Sequence, residues 1–181
     1  MKNVFAPISK LPPEILTHVC TFAPYAISDF AHLCAQVCRS WRNTLLSSPS
    51  LWNEIHADYP LHVNFHLARS GKVPLELYFR GGSPVDRFCR KVVPHIDRVR
   101  LLHLSLCAGD QERILDSLSG GPEMTLLRDL RFEKASTRLR LSASMMEKMS
   151  SFAANTTNLS LWNVDPHLLS LRLPHLLSLP L

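Results

Sequence analysis

One pattern occurs three times in this chain, and it constrains the fold more than any other feature. Leu101-x-x-Leu104-x-Leu106, Leu127-x-x-Leu130-x-Phe132 and Thr156-x-x-Leu159-x-Leu161 share the same apolar spacing. Their central leucines, Leu104, Leu130 and Leu159, lie 26 and 29 residues apart. Each segment suits a short strand, and helix candidates fill the gaps at Asp110 to Leu118 and Ser142 to Ala154. A strand-then-helix unit of this length cannot bury its apolar face alone, so such units must stack on one another.

Bulk properties fit a stacked body that buries a real core. The chain has 181 residues, of which 46% are hydrophobic and only 19% charged, which excludes general disorder. Thirteen prolines exclude a long coiled coil. The net charge of +5 falls entirely after residue 60, because Lys2, Lys10, Arg39 and Arg42 balance Glu14, Asp29, Glu54 and Asp58 before it. In the later part the signs alternate, as in Arg128-Asp129 and Arg131-Phe132-Glu133-Lys134, which is a solvated surface and not a nucleic-acid stripe. The five cysteines form no disulfide framework, and Cys20, Cys34 and Cys38 fall in apolar helical patterns. That usage implies a reducing compartment, the cytoplasm or the nucleus. There is neither a signal-peptide apolar stretch before Lys10 nor a run of about 18 apolar residues that would span a membrane.

Upstream of the repeats the periodicity is helical. A helix over 8–23 enters through Leu11-Pro12-Pro13, with Leu11, Ile15, Leu16, Val19, Phe22 and Ala23 as its apolar positions. Ser28 suits the N-cap of a second helix, with Asp29 in its first turn. Phe30, Leu33, Val37, Trp41 and Leu45 continue at helical spacing, over two short helices broken near Cys38. Leu51-Trp52 follows as an apolar anchor. Residues 56–97 then read as helix (Pro60 to Ser70, closed by Gly71), strand (Pro74 to Phe79) and helix (Ser83-Pro84 to about Val93).

The ordered set Leu11-Pro12-Pro13-Glu14-Ile15-Leu16, Leu33, Val37-Cys38-Arg39-Ser40-Trp41-Arg42 and Leu51-Trp52 resembles the F-box, most closely the versions that open many fungal F-box proteins. The resemblance covers about residues 8–55. It implies a three-helix module that binds the Skp adaptor of Skp–cullin–F-box ubiquitin ligases, with the remaining chain recruiting a protein substrate. Carried over by motif, the adaptor-binding residues are Leu11, Pro12, Ile15, Leu16 and Leu33, with Val37, Cys38, Trp41, Leu51 and Trp52. Val19, Phe30 and Leu45 are expected to be core.

The expected fold class is α+β. It has an F-box module at 8–55, a helix-strand-helix linker at 56–97 and a short, irregular leucine-rich-repeat-like α/β solenoid at 98–181. The ladder asparagine or cysteine of such repeats is missing, since Gly109, Ala135 and Val164 stand at its positions. The leucine-dense end from Leu168 to Leu181 has no polar cap, so the sequence reads as truncated.

Other chemistries find less support. His62-x-x-x-His66 and Cys34-x-x-x-Cys38 each put two side chains on one helical face. Neither has a second pair at metal-ligand spacing, so no metal or other cofactor is expected. No G-x-S-x-G elbow or phosphate loop occurs, and Gly81-Gly82 and Gly120-Gly121 read as turns, so no enzyme is expected. Trp162, after the third repeat strand, is expected to serve core or edge packing. Two rival readings remain. One is a nucleic-acid-binding helical module using Arg39 and Arg42, and the other is a decayed F-box remnant without a substrate.

Overall fold

The computed structural model describes residues 11–22, 27–80, 84–105, 108–133, 143–152 and 156–162. It opens with helices α1 (Pro13–Thr21), α2 (Ile27–Cys34) and α3 (Arg39–Leu46), then a 3-10 turn (Pro49–Trp52). Pro13 sits in the first turn of α1, where a missing N–H costs nothing, and the Pro12 carbonyl accepts the N–H groups of Ile15 and Leu16, each at 3.1 Å. Helix α2 starts one residue before the expected cap at Ser28. A distant residue supplies an acceptor at this end, for the Ile27 N–H donates to Glu54 Oε2 at 3.2 Å. The expected break near Cys38 is present. Cys38 caps α3, its Sγ accepting the Trp41 N–H at 3.5 Å, and Arg42 Nε–H closes the turn onto the Ala35 carbonyl at 3.0 Å.

The chain then alternates strand and helix: β1 (Glu54–His56), α4 (Val63–Arg69), β2 (Leu75–Arg80) and α5 (Val85–Val92), which runs into a 3-10 turn (Val93–Arg98). After it come β3 (Val99–Ser105), α6 (Ala108–Ser119), β4 (Asp129–Glu133), α7 (Ala143–Phe152) and β5 (Asn158–Trp162). Gly71 closes α4 with φ +55°, a conformation that costs glycine nothing. The strands form one parallel sheet in chain order, β1-β2-β3-β4-β5. Parallel neighbours require crossovers, and each crossover here carries a helix. Alternation along each strand sends one set of side chains onto those helices. Leu77, Leu102, Leu130 and Leu159 are buried with Phe88, Ile114, Leu115 and Met149. The other set, including Glu76, Tyr78, His103, Arg131 and Ser160, lies on the opposite, open face.

The pairing register corrects the repeat frame. Leu130 pairs with Leu102, not Leu104, and Leu159 pairs with Leu130. Leu77 and Ile55 extend the same row across β2 and β1. A second row runs Phe79, Leu104, Phe132, Leu161. The first repeat is therefore Val99-x-x-Leu102-x-Leu104, two residues upstream of the expected Leu101-x-x-Leu104-x-Leu106. A strand has a side-chain period of two, so a shift of two residues keeps every side chain on its face and leaves no trace in hydropathy. In the corrected frame the ladder position of the first repeat moves from Gly109 to Cys107, which lies outside the described residues.

Two apolar clusters make the core. One holds the three N-terminal helices together around Leu16, Cys20, Cys34, Leu45 and Trp52, with Phe30 packed on it. The other runs from Ile55 to Leu159, beneath the sheet. The second cluster does not divide at residue 97. Residues 56–97, expected to be a linker, supply Leu77, Phe79, Phe88 and Val92 to the same core as β3 and β4. The clusters meet where Phe65 of α4 packs against Trp52, ring centroids 5.2 Å apart. The joint is pinned by Trp52 Nε1–H to the Leu45 carbonyl at 2.9 Å and by Arg69 Nη1–H to the Leu46 carbonyl at 3.2 Å. The leucine-dense end, Leu168 to Leu181, falls outside the described residues.

Candidate functional site

Helix α1 has two apolar stripes, not the single face its periodicity suggested. At 100° per residue, Ile15 and Val19 lie about 40° apart, with Leu11 and Phe22 flanking the two ends of the helix, and Leu16 and Cys20 lie on a separate arc. The second arc is the inner one: Leu16 is 4% exposed and Cys20 is fully buried. The first arc faces solvent along its whole length. Burial pushes the Cys20 thiol up to about 11, with the neighbouring Cys34 adding to the shift. Cys20 is therefore an inert part of the packing.

A second exposed apolar group follows α2. Leu33 and Val37 are 64% and 63% exposed, and Cys38 beside them is also exposed. The α2–α3 turn that presents them is held by the Arg42–Ala35 hydrogen bond. That contact spends one donor of Arg42 on the fold and weakens the reading of Arg42 as a base-reading residue. Contiguous apolar side chains left in water on a small helical module mark an interaction surface.

The ten residues singled out from the sequence thus divide. Leu11, Pro12, Ile15, Leu33, Val37 and Cys38 are exposed. Trp41 is half-buried against the N-terminal cluster. Leu16, Leu51 and Trp52 are buried and hold the helices together, so they cannot touch a partner without rearrangement. Val19 reverses its expectation as a core residue, being 48% exposed, while Phe30 and Leu45 meet theirs. Phe22, which was not singled out as a docking residue, is 74% exposed. Its i+3 spacing from Val19 was the available signal, but spacing alone cannot say which of two stripes faces inward.

Residues 8–58 match the family model described as F-box-like. This segment is an F-box-like domain. The expected resemblance over 8–55 is met, and the match extends past it to include β1, so the F-box-like domain donates the first strand of the sheet. Searches of curated proteins and of solved structures found no match to the chain. F-box domains generally bind the Skp adaptor, and proteins that carry one are generally non-catalytic subunits of ubiquitin ligases. The exposed stripe of α1 and the Leu33–Cys38 turn are the apolar surfaces that the F-box-like domain offers among the described residues.

The open face of the sheet is the other candidate surface. His103, Arg131, Glu133, Ser160 and Trp162 line a hollow of about 290 Å³. Trp162 is 65% exposed at its rim, against its expectation as a packing residue. Polar contacts span neighbouring strands here: Arg100 forms an ion pair with Glu76, and His103 Nε2 lies 3.4 Å from Glu133 Oε2. Asn158 Nδ2–H donates to Asp129 Oδ1 at 2.9 Å. No helix among the described residues is long and apolar enough to cross a membrane.

Proposed function

We propose that this chain is a substrate-recruiting subunit of a Skp–cullin–F-box ubiquitin ligase, of the kind common among fungal F-box proteins, acting in the cytoplasm or nucleus. It docks on the Skp adaptor through Ile15 and Val19 of α1, Leu11 and Phe22 at the two ends of that helix, and Leu33 and Val37. The carrying observation is that an F-box-like domain leaves these side chains in water while a separate set, led by Leu16 and Trp52, closes its core. The subunit performs no bond chemistry. It raises the effective concentration of a bound protein near the charged ubiquitin carrier, whose reactive groups belong to other subunits.

The substrate surface in this reading is the open face of the sheet, with Trp162 and the Arg131–Glu133 edge as its anchors. Exposed aromatic and arginine side chains beside a hollow are the usual composition of binding hot spots. The body behind that face is read as a leucine-rich-repeat-like solenoid. Its strands follow in chain order, and the apolar row Ile55, Leu77, Leu102, Leu130 and Leu159 runs through all five of them.

Co-expression with the Skp adaptor tests the docking. Wild type is expected to co-purify, and a Leu11→Ala/Pro12→Ala double variant to co-purify poorly while keeping its circular dichroism. A folded wild-type chain that fails to capture the adaptor refutes the proposal. Capture that persists in moderate salt separates it from nucleic-acid binding, which would fall steeply with salt.

A further inference from the structure

His62 and His66 form an i, i+4 pair at the start of α4, and the tertiary fold brings a third imidazole to them. His32, from the last turn of α2, sits with ring centroids 5.3 Å from His62 and 5.7 Å from His66. One ring nitrogen of each of the three lies within 4.8 Å of the other two. Asp29, one helical turn before His32, lines a cleft with His62 and His66. The third imidazole comes from about thirty residues upstream of the His62–His66 pair, on another helix.

Three features favour a ligand here over simple packing around Trp52. First, His66 is 5% exposed, and its Nδ1 lies 2.8 Å from the Glu54 carbonyl, an acceptor. Nδ1 must therefore carry the proton, which leaves the lone pair on Nε2. Second, the Nε2 atoms of His66 and His32 are buried without a hydrogen-bond partner. A buried polar atom without a partner costs free energy unless something fills its place. Third, a cleft lined by Asp29, His56, His62 and His66, but not by His32, adjoins the three imidazoles and offers only about 10 Å³ of free space, far too little for an organic molecule.

We infer that His32, His62 and His66 bind one divalent transition-metal ion of the zinc class, with a fourth position left for water facing Asp29. Nitrogens in a tetrahedral site with bonds of about 2.1 Å lie ~3.4 Å apart, so closure needs movements of no more than ~1.4 Å, within reach of ring rotation. Exposed His62 gives the ion its entry path. The ion would tie α2 of the F-box-like domain to α4 beneath the sheet, fixing the docking helices relative to the open face.

Cobalt(II) titration of the metal-stripped full chain tests this. The expected result is one equivalent bound, with the intense visible bands of tetrahedral cobalt, and displacement by zinc. His62→Ala changes an exposed side chain and keeps the fold. It should lose the bands and weaken binding by at least tenfold, whereas His95→Ala should bind as wild type does. Absence of the bands in folded wild type would overturn the proposal, as would unchanged affinity in His62→Ala.

Discussion

Replacing Ile15 and Val19 together by alanine isolates the docking face from the fold. Ile15 and Val19 are 45% and 48% exposed, so their free portions together equal roughly one whole side chain. Complete burial of such a side chain is worth about 1.5–3 kcal/mol, and the alanine methyl groups retain part of that. The expected loss of affinity for the adaptor is therefore ~1–2 kcal/mol, about 5- to 30-fold in Kd. Folding stability should move by no more than about 0.5 kcal/mol, because alanine favours the helix and neither side chain belongs to the buried cluster. Calorimetric titration of the Skp adaptor, with a thermal melt of each variant alongside, gives both numbers. A Kd within twofold of wild type at an unchanged melting temperature would refute the assignment of the outer stripe of α1 to the interface. A large loss of stability would instead show that the stripe belongs to the core.

Leu16→Ala supplies the opposite signature. Its buried side chain should cost about 2–5 kcal/mol of stability in a denaturant melt, and any loss of adaptor binding should follow the loss of fold. Glu54→Gln weakens the acceptor at the start of α2 and should cost ~0.5–1 kcal/mol, with the fastest amide exchange expected at Ile27. Alkaline pH should weaken the fold. Burial pushes the Cys20 and Cys89 thiols from 9.0 to about 11, so between those values the unfolded chain releases protons that the folded chain keeps. Stability is then intact below pH 9 and falls as pH rises through that window, and a urea midpoint flat from pH 8 to about 11 would contradict it. Trp162→Ala should leave the melting temperature unchanged and abolish capture of whichever protein the open sheet face recruits, read by quantitative pull-down with the wild-type chain as reference.

The order of elements was legible because it rests on local chemistry. Pro12-Pro13 opens α1, Cys38 breaks the second helical run, Gly71 ends α4, and alternating leucines mark β2 to β5. Each of these signals acts within a few residues and needs no distant partner. The F-box-like match at 8–58 rests on the same kind of information, several short elements in fixed order.

The tertiary structure decided what local pattern leaves degenerate. Ile15 and Leu16 are equally apolar neighbours, and only packing against Leu45 and Trp52 turns one inward and leaves the other in water. Leu102 and Leu104 stand on the same face of one strand, so only hydrogen-bond register could choose which aligns with Leu130. The acceptor for the first N–H of α2 came from Glu54, 27 residues away, and the third imidazole beside His62 and His66 came from His32, thirty residues upstream. The sequence by itself determined the helices and the strands β2 to β5, though not the short β1, and that an F-box-like module leads the chain. Which side chains face water, and which distant ones meet, followed from long-range packing, whose energy depends on neighbours that periodicity cannot see.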